Sequence, residues 1–325
     1  MKNLAPALFA GLLILTLIAC APQVSPNPEI IPTLANTDPT LEPVQAGRAI
    51  VMGDISDDPA EVIEGAQPVA DYLASQLGDY GITSGQVRVV TTTDEMIDLL
   101  KKGEVDLYFD STYPATLISD AGAGQIILRR WRFGVEKYNS VIFASVESGI
   151  KSIDELPGHM LAMDAPYSTS GFLLPAVFLK EKGLTLVGKT DYSAEVAAGE
   201  VGFAFSYDDE NTLQWVLSGY ADAGVTDDFH FDVDFPDEAT EKLVELARTE
   251  STPRQVVIAR PNIDAGLLAA IKLALTNMDN EGNTTGQTAL ESFQTTQFDE
   301  FPEGLEVATE RMREMMKFVQ DIPLP

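Results

Sequence analysis

Three hydroxyls in a row, Ser168-Thr169-Ser170, precede Gly171 where an apolar run gives way to helical spacing. Serine and threonine are good helix caps, and glycine lets a backbone approach a ligand closely. Hydroxyls and free backbone N–H groups at the positive end of a helix can together hold an oxyanion. The same four residues would also serve as a plain helix cap. The phenols of Tyr113 and Tyr138 are further donors, or else packing groups. Asp110 and Asp222 have the opposite chemistry. A carboxylate accepts from a P–OH or an ammonium but repels a fully ionised anion. If either faces the bound group, the ligand is protonated or carries an amine, and sulfate is disfavoured.

Arg129, Arg130 and Arg132 flank Trp131 in the most basic short stretch of an acidic chain. On an alternating strand Arg130 and Arg132 share one face. They offer a bidentate anion contact, or a surface strand salt-bridged to the acidic body. The two histidines, His159 and His230, are expected in solvent. Asp227, Asp228, Asp232 and Asp234 lack the glycine and terminal glutamate of a calcium loop. They read as a solvated acidic loop, and no metal or cofactor is expected. A serine hydrolase at Ser168 or Ser170 lacks support: no histidine shares a motif with a serine, and there is no G-x-S-x-G turn. Lys180 and Lys182 belong to the far end of the next helix. The chain is expected to bind, not to catalyse.

The elements that must position these residues alternate. Gly47–Met52 reads as a buried strand, residues 60–77 as an amphipathic helix and Gln86–Thr91 as a strand. Thr93–Lys102 is a helix stopped by Gly103, and Val105–Phe109 a third strand. That order implies a parallel sheet with helices on its faces. Long strand candidates follow at Gln125–Phe133 and Tyr138–Val146, then a second α/β series. In that series a short helix falls at 152–156, strands at 160–163, 201–206 and 221–225, and helices at 172–182, 208–217 and 238–249. After the strand Val256–Ala259 come helices near 264–277 and 305–320. The fold class expected is α/β, with two lobes joined by long strands around a cleft. Residues 46–143 and 253–325 form the first lobe, and 144–252 the second. No internal repeat is present.

Met1-Lys2-Asn3 followed by an apolar run to Leu17-Ile18-Ala19-Cys20 reads as a signal peptide over residues 1–19, too short to span a bilayer comfortably. Leu-Ile-Ala-Cys looks like a lipobox, with Cys20, the only cysteine, carrying the lipid. Residues 20–45 are rich in Pro, Thr, Asn and Ser and read as a flexible tether. The chain is thus expected outside the cytoplasm, anchored to the cell membrane by lipid, and monomeric. A net charge of −29 argues against nucleic-acid binding.

The longer stretch is more specific. Tyr138-Asn139-Ser140, then Ser148-Gly149-Ile150-Lys151-Ser152 through Gly158, then Ser168-Thr169-Ser170-Gly171 with Pro175, resembles the phosphate/phosphite/phosphonate-binding proteins of ABC importers. Gly53-Asp54-Ile55-Ser56, Gln67-Pro68, Gly103-Glu104-Val105-Asp106 and Gly219-Tyr220-Ala221-Asp222-Ala223-Gly224 extend the likeness over about residues 49–275. The resemblance implies a type II periplasmic-binding-protein fold whose lobes close on one ligand and then dock on a permease. It implies that Ser168, Thr169 and Ser170 hold a small phosphorus oxyanion: phosphonate, phosphite or phosphate. Two first-lobe positions where better-known phosphonate binders have tyrosines align with Thr93 and Asp110. The family's S-H-D triplet reads Ser206-Tyr207-Asp208, placing Tyr207 and Asp208 among the ligand-binding candidates. A receptor of this fold can equally feed a signalling partner such as a sensor kinase.

Overall fold

The computed structural model describes residues 47–56 and 58–325. Cys20, the expected signal segment and the expected tether lie outside the described residues. The first half-sheet is built as β1 (Arg48–Ile55), α1 (Pro59–Gln76), β2 (Ile82–Val90), α2 (Thr93–Lys102) and β3 (Leu107–Asp110). β2, β1 and β3 run parallel. Local chemistry sets the helix ends. Asp58 accepts from Ala60 N and Glu61 N, and Pro59 sits at the first turn of α1, where its missing N–H is not needed. α2 begins at Thr92, whose hydroxyl accepts from Glu95 N, and ends at Gly103 with φ 71°. α3 (Thr112–Asp120) then leads to β4 (Gln125–Arg132).

The chain next makes the two-residue strand β5 (Lys137–Tyr138) and enters a second sheet at β6 (Ser140–Ser145). There follow β7 (Met160–Met163), α4 (Leu174–Glu181), β8 (Leu186–Gly188), β9 (Val201–Phe205), α5 (Asp209–Leu217), β10 (Ala223–Asp227), the single turn α6 (Asp237–Thr240) and β11 (Leu243–Arg248). It returns through β12 (Thr252–Pro253), which pairs antiparallel with β5. β13 (Gln255–Ala259), α7 (Ala265–Thr276), α8 (Thr284–Ser292), β14 (Thr295–Asp299) and α9 (Leu305–Val319) complete the chain. The sheet orders are β14-β4-β13-β3-β1-β2 and β11-β6-β10-β7-β9-β8. The fold is thus two α/β lobes whose connecting strands β5 and β12 lie side by side.

Each lobe has its own core. Ile50, Met52, Leu73, Leu107 and Leu128 anchor the first, with α7 and α8 against it. Leu161, Met163, Phe172, Leu179 and Phe203 anchor the second. α9 departs from the expected assignment of residues 253–325 to the first lobe. Met312, Met315 and Val319 fall on one helical stripe and, with Ile322, join the second core. Arg313 of the same helix reaches back to Asp120 of α3 at 2.7 Å. The expected boundary at residues 143/144 cuts through β6, which pairs wholly within the second sheet.

Two elements differ from the sequence expectation. Residues 238–249 form one helical turn and then β11, because Leu243–Arg248 gain strand pairing along the open edge of β6. Helical spacing cannot reveal an available sheet edge. Residues 152–156 contain only a 3₁₀ turn, Ile153–Glu155. No helix among the described residues is long and apolar enough to cross a membrane.

Candidate functional site

The site forms where the C-terminal ends of β1, β3, β7 and β10 converge, the usual ligand position in open α/β sheets. A cavity of about 590 Å³ on the first-lobe side is lined by Asp54, Asp110, Arg130, Arg132, Glu61 and Glu64, among others. Asp110 ends β3. Its carboxylate accepts a short hydrogen bond from the Tyr108 hydroxyl and another from Ser111 N at 2.6 Å. Burial holds its pKa above the usual carboxylate range. Asp54 is pushed up to about 6, first by burial and then by the neighbouring Asp110 charge.

The arginine stretch is not a surface strand. β4 lies inside the sheet, and Arg129 and Arg130 are only 3% and 5% exposed. Arg129 does form ion pairs, with Asp299 and with Glu136. Arg130 and Arg132 share the opposite face and line the cavity, as alternation requires. Arg130 is already spent on Thr295, Gln255 and the Phe293 carbonyl, and burial, then the nearby Arg132 charge, lowers its pKa well below normal. Arg132 differs: its buried Nε has no hydrogen-bond partner among the described residues, while Nη2 donates to Gln294 at 3.3 Å and the guanidinium lies 4.7 Å from the Phe133 ring.

The second lobe contributes the Ser168–Gly171 turn. Ser168 caps it, accepting from Gly171 N at 2.9 Å. The turn is a π-turn, Thr169–Leu173, that feeds α4. Gly171 is required by space: an added Cβ would lie 2.3 Å from Asp164 Cβ. Thr169 is 1% exposed and joins the lobes. Its hydroxyl donates to Ser111 Oγ and accepts from Tyr113 N, both at 2.9 Å. The turn therefore meets the first lobe one residue beyond Asp110. Ser140 Oγ donates to the Ser170 carbonyl at 2.6 Å. Tyr138 is buried beside the Ser170 and Thr169 hydroxyls, and burial raises its pKa.

The remaining candidates are dispersed. Tyr113 packs its ring toward the second core and lines a separate groove beside α9. Asp208 caps α5, accepting from Asn211 N at 3.0 Å. Tyr207 is 66% exposed, with φ 63°, and its N–H donates to the Asp164 carbonyl. Thr93 is half-buried at the start of α2 and does not line the cavity. Asp222 precedes β10, at the opposite end of that strand from Asp227. It accepts from Met160 N and lies 3.2 Å from His159 Nδ1. It is a strand-end anchor outside the cavity.

An ionic centre between the lobes has no local signature in the sequence. Arg254, just before β13, is 4% exposed; its Nη2 lies 3.2 Å from Asp227 Oδ2, across the lobe junction. Its guanidinium sits 5.0, 4.8 and 5.7 Å from the Phe133, Tyr138 and Phe229 rings. Phe133 and Phe229 stack at 4.4 Å between the first-lobe strand end and the second lobe. His230 is not solvated as expected: it holds Asp227 Oδ2 at 3.0 Å and approaches Asp209. Nor is Asp227 a loop residue; it ends β10 at 5% exposure. Burial alone would raise Asp227, but the His230 hydrogen bond and the Arg254 charge together hold it well below the usual range. Burial pushes Asp209 up to about 6. Asp209, Asp227 and His230 have ligand spacing suited to a metal. However, His230 and Arg254 already share the Asp227 oxygen that an ion would need.

Two lobes on two six-stranded sheets, linked by paired crossing strands, with a polar cavity at the strand ends of the first lobe, define a type II periplasmic binding protein. Residues 55–303 match the family of ABC-transporter phosphonate periplasmic substrate-binding proteins. The match covers most of the chain, and the chain belongs to that family, whose members bind solutes and are not enzymes. Among solved structures, XAC2383 of Xanthomonas citri bound to chloride is 26% identical with TM-score 0.77, over 83% of this chain and 97% of that one. The same protein bound to ATP matches at 25% identity and TM-score 0.76, over 83% and 96%. PhnD1 of Prochlorococcus marinus, in complex with methylphosphonate, shares the fold at 17% identity and TM-score 0.63, over 84% and 98%.

Proposed function

We propose that this chain is the receptor of an importer, tethered outside the cell membrane by a lipid on Cys20, which captures a small phosphorus oxyanion by lobe closure and delivers it to a permease. The observation that carries this reading is the Ser168–Gly171 turn, seated on the first lobe through Thr169, Ser111 and Tyr113 beside a cavity holding an unpaired arginine donor. In this reading the Ser168 and Ser170 hydroxyls, the backbone N–H groups of the turn and Arg132 Nε supply donors, and Asp110 supplies an acceptor. Tyr138, buried beside Ser170 and Thr169, supports the turn, and Asp208 caps α5. Contacts that exist only when both lobes meet the ligand stabilise the closed form.

A second reading, a larger organic phosphate, is favoured by cavity size: about 590 Å³ exceeds what methylphosphonate fills. The ATP bound to the related Xanthomonas protein is in keeping with it. Thermal unfolding of the purified chain with methylphosphonate, phosphite, phosphate, ATP and sulfate tests both. A ligand at a hundred times its Kd stabilises by about 2.7 kcal/mol. If none of the phosphorus compounds raises the melting temperature, the ligand class is wrong. Ser168→Ala combined with Ser170→Ala is expected to weaken binding roughly 100-fold, from two hydrogen bonds to a charged group. Unchanged binding would remove the turn from the site.

A further inference from the structure

β4 presents two faces. Arg130 and Arg132 line the cleft cavity on one, and Arg129 borders a second cavity, of about 360 Å³, on the other. All three passages of the chain between the lobes wall this second cavity. β5 contributes Lys137, β12 contributes Thr252 and Pro253, and the link from β14 to α9 contributes Phe301 and Pro302. α9 closes it with Val307, Met312 and Met315, the last two drawn from the second-lobe core. The wall is mainly apolar, and the volume is in the range that holds small molecules. Protein interiors rarely leave such space unfilled.

The charges around this cavity run against those of the chain. The sequence carries 50 Asp and Glu against 21 Lys and Arg, yet here three cations, Arg129, Lys137 and Arg311, stand with two carboxylates, Glu250 and Glu303. Two of the cations are already engaged, Arg129 by Asp299 and Glu136, and Arg311 by Glu250 and Glu314. Lys137 is half-buried, and its ammonium has no ion pair or hydrogen bond among the described residues. A lysine can lay its stem along an apolar wall and hold its charged head at the rim. We propose that this cavity is a second ligand site, separate from the cleft, which takes a small aliphatic carboxylate with its head on Lys137 and its chain against Phe301, Val307, Met312 and Met315. A phosphate or sulfate would meet the lysine but leave the apolar wall uncovered. A neutral amphiphile would cover the wall but leave the lysine without a counter-ion. The two methionines are unbranched and polarizable, so the wall adapts to the chain that fills it.

Octanoate is the probe. Isothermal titration of the purified full-length chain at pH 7.5 compares hexanoate, octanoate and the neutral octanamide. Affinity is expected to rise about tenfold from hexanoate to octanoate, at roughly fourfold per buried methylene. Octanamide is expected to bind at least fivefold more weakly than octanoate. Lys137→Gln should bring octanoate down to the octanamide level. Val307→Glu should weaken both, and because Val307 is 54% exposed this variant is expected to fold. In protein labelled at its methionine methyls, octanoate should shift the resonances of Met312 and Met315 and leave that of Met52, in the first-lobe core, unchanged. No octanoate binding to the wild type, shifts confined to other methionines, or an affinity unmoved in both folded variants overturns the site. Equal affinity for octanoate and octanamide overturns the role of Lys137 and the carboxylate class with it. A cleft that binds no phosphorus compound leaves these results as they stand, since none of these residues lines the cleft cavity.

Discussion

Replacing Arg254 with alanine should be among the most damaging single changes in this protein, and its size can be reasoned from the ionic centre. The guanidinium is buried, bonds Asp227 at 3.2 Å and lies within 6 Å of three aromatic rings. Breaking a buried ion pair from one side typically costs about 3–5 kcal/mol, because the partner charge stays buried. Here the lower end applies, since His230 remains 3.0 Å from Asp227 and compensates part of its charge. Losing the ring contacts adds about 1 kcal/mol. The sum is about 4 kcal/mol, or a fall of roughly 7 °C in melting temperature for a chain of this size. Differential scanning calorimetry of wild type, Arg254→Ala, Asp227→Asn and the double variant measures it. Arg254→Lys should recover the charge but not the flat contact with the rings, and fall between. Because the pair joins the lobes, the two single effects should be non-additive by about 2 kcal/mol. A fall under 2 °C for Arg254→Ala, or full additivity, would refute the view that this pair holds the junction.

Other outcomes follow from the same geometry. Gly171→Ala should lower the melting temperature and abolish methylphosphonate binding, since its Cβ would meet Asp164 Cβ at 2.3 Å; a variant with normal affinity in calorimetric titration would show that the turn can relax. Phe143→Ala should destabilise the second lobe by about 3–5 kcal/mol in urea unfolding, because Phe143 is fully buried against Phe235 and Leu213. Asp54 has a raised folded pKa, so the folded state binds more protons than the unfolded chain between about pH 4 and 6, and its contribution to stability is lost as pH rises through that window. Asp54→Asn should therefore stabilise the ligand-free chain by about 1–3 kcal/mol at pH 7.5 and by little at pH 4, and urea unfolding at the two pH values checks the sign. His230 carries a raised pKa despite burial, through its bond to Asp227 and the Asp209 charge. Its stabilisation is complete below about pH 6.5 and lost as pH rises through the higher folded value. His230→Gln should flatten that decline, as followed by thermal melts from pH 6 to 8.

Local signals carried much of the fold. Gly103 stops α2 because a left-handed residue is needed there, and Thr92 and Asp58 satisfy N–H groups that their own helices leave open. Those interactions span a few residues, so sequence displays them. β11, β14 and α8 were not legible, because each exists through partners far away in the chain: β6 for β11, β4 for β14, and α1 for α8. The hydroxyl turn could be read as a candidate because its donors are consecutive. The Arg254–Asp227–His230 centre could not, since residues 227 and 254 meet only when the returning chain crosses the junction.

The same division runs through the arginine stretch. Alternation along Gln125–Arg132 determined by itself that Arg130 and Arg132 share a face, because successive side chains on a strand point to opposite sides. It could not determine which face was covered. β13 and β14 flank β4, bury Arg129 on Asp299, satisfy Arg130 three times over and leave Arg132 Nε unmet in the cavity. Residue type and spacing settle what a side chain can offer. The packing of distant strands settles which of those offers is already taken, since desolvation makes every buried donor and acceptor depend on its particular neighbours.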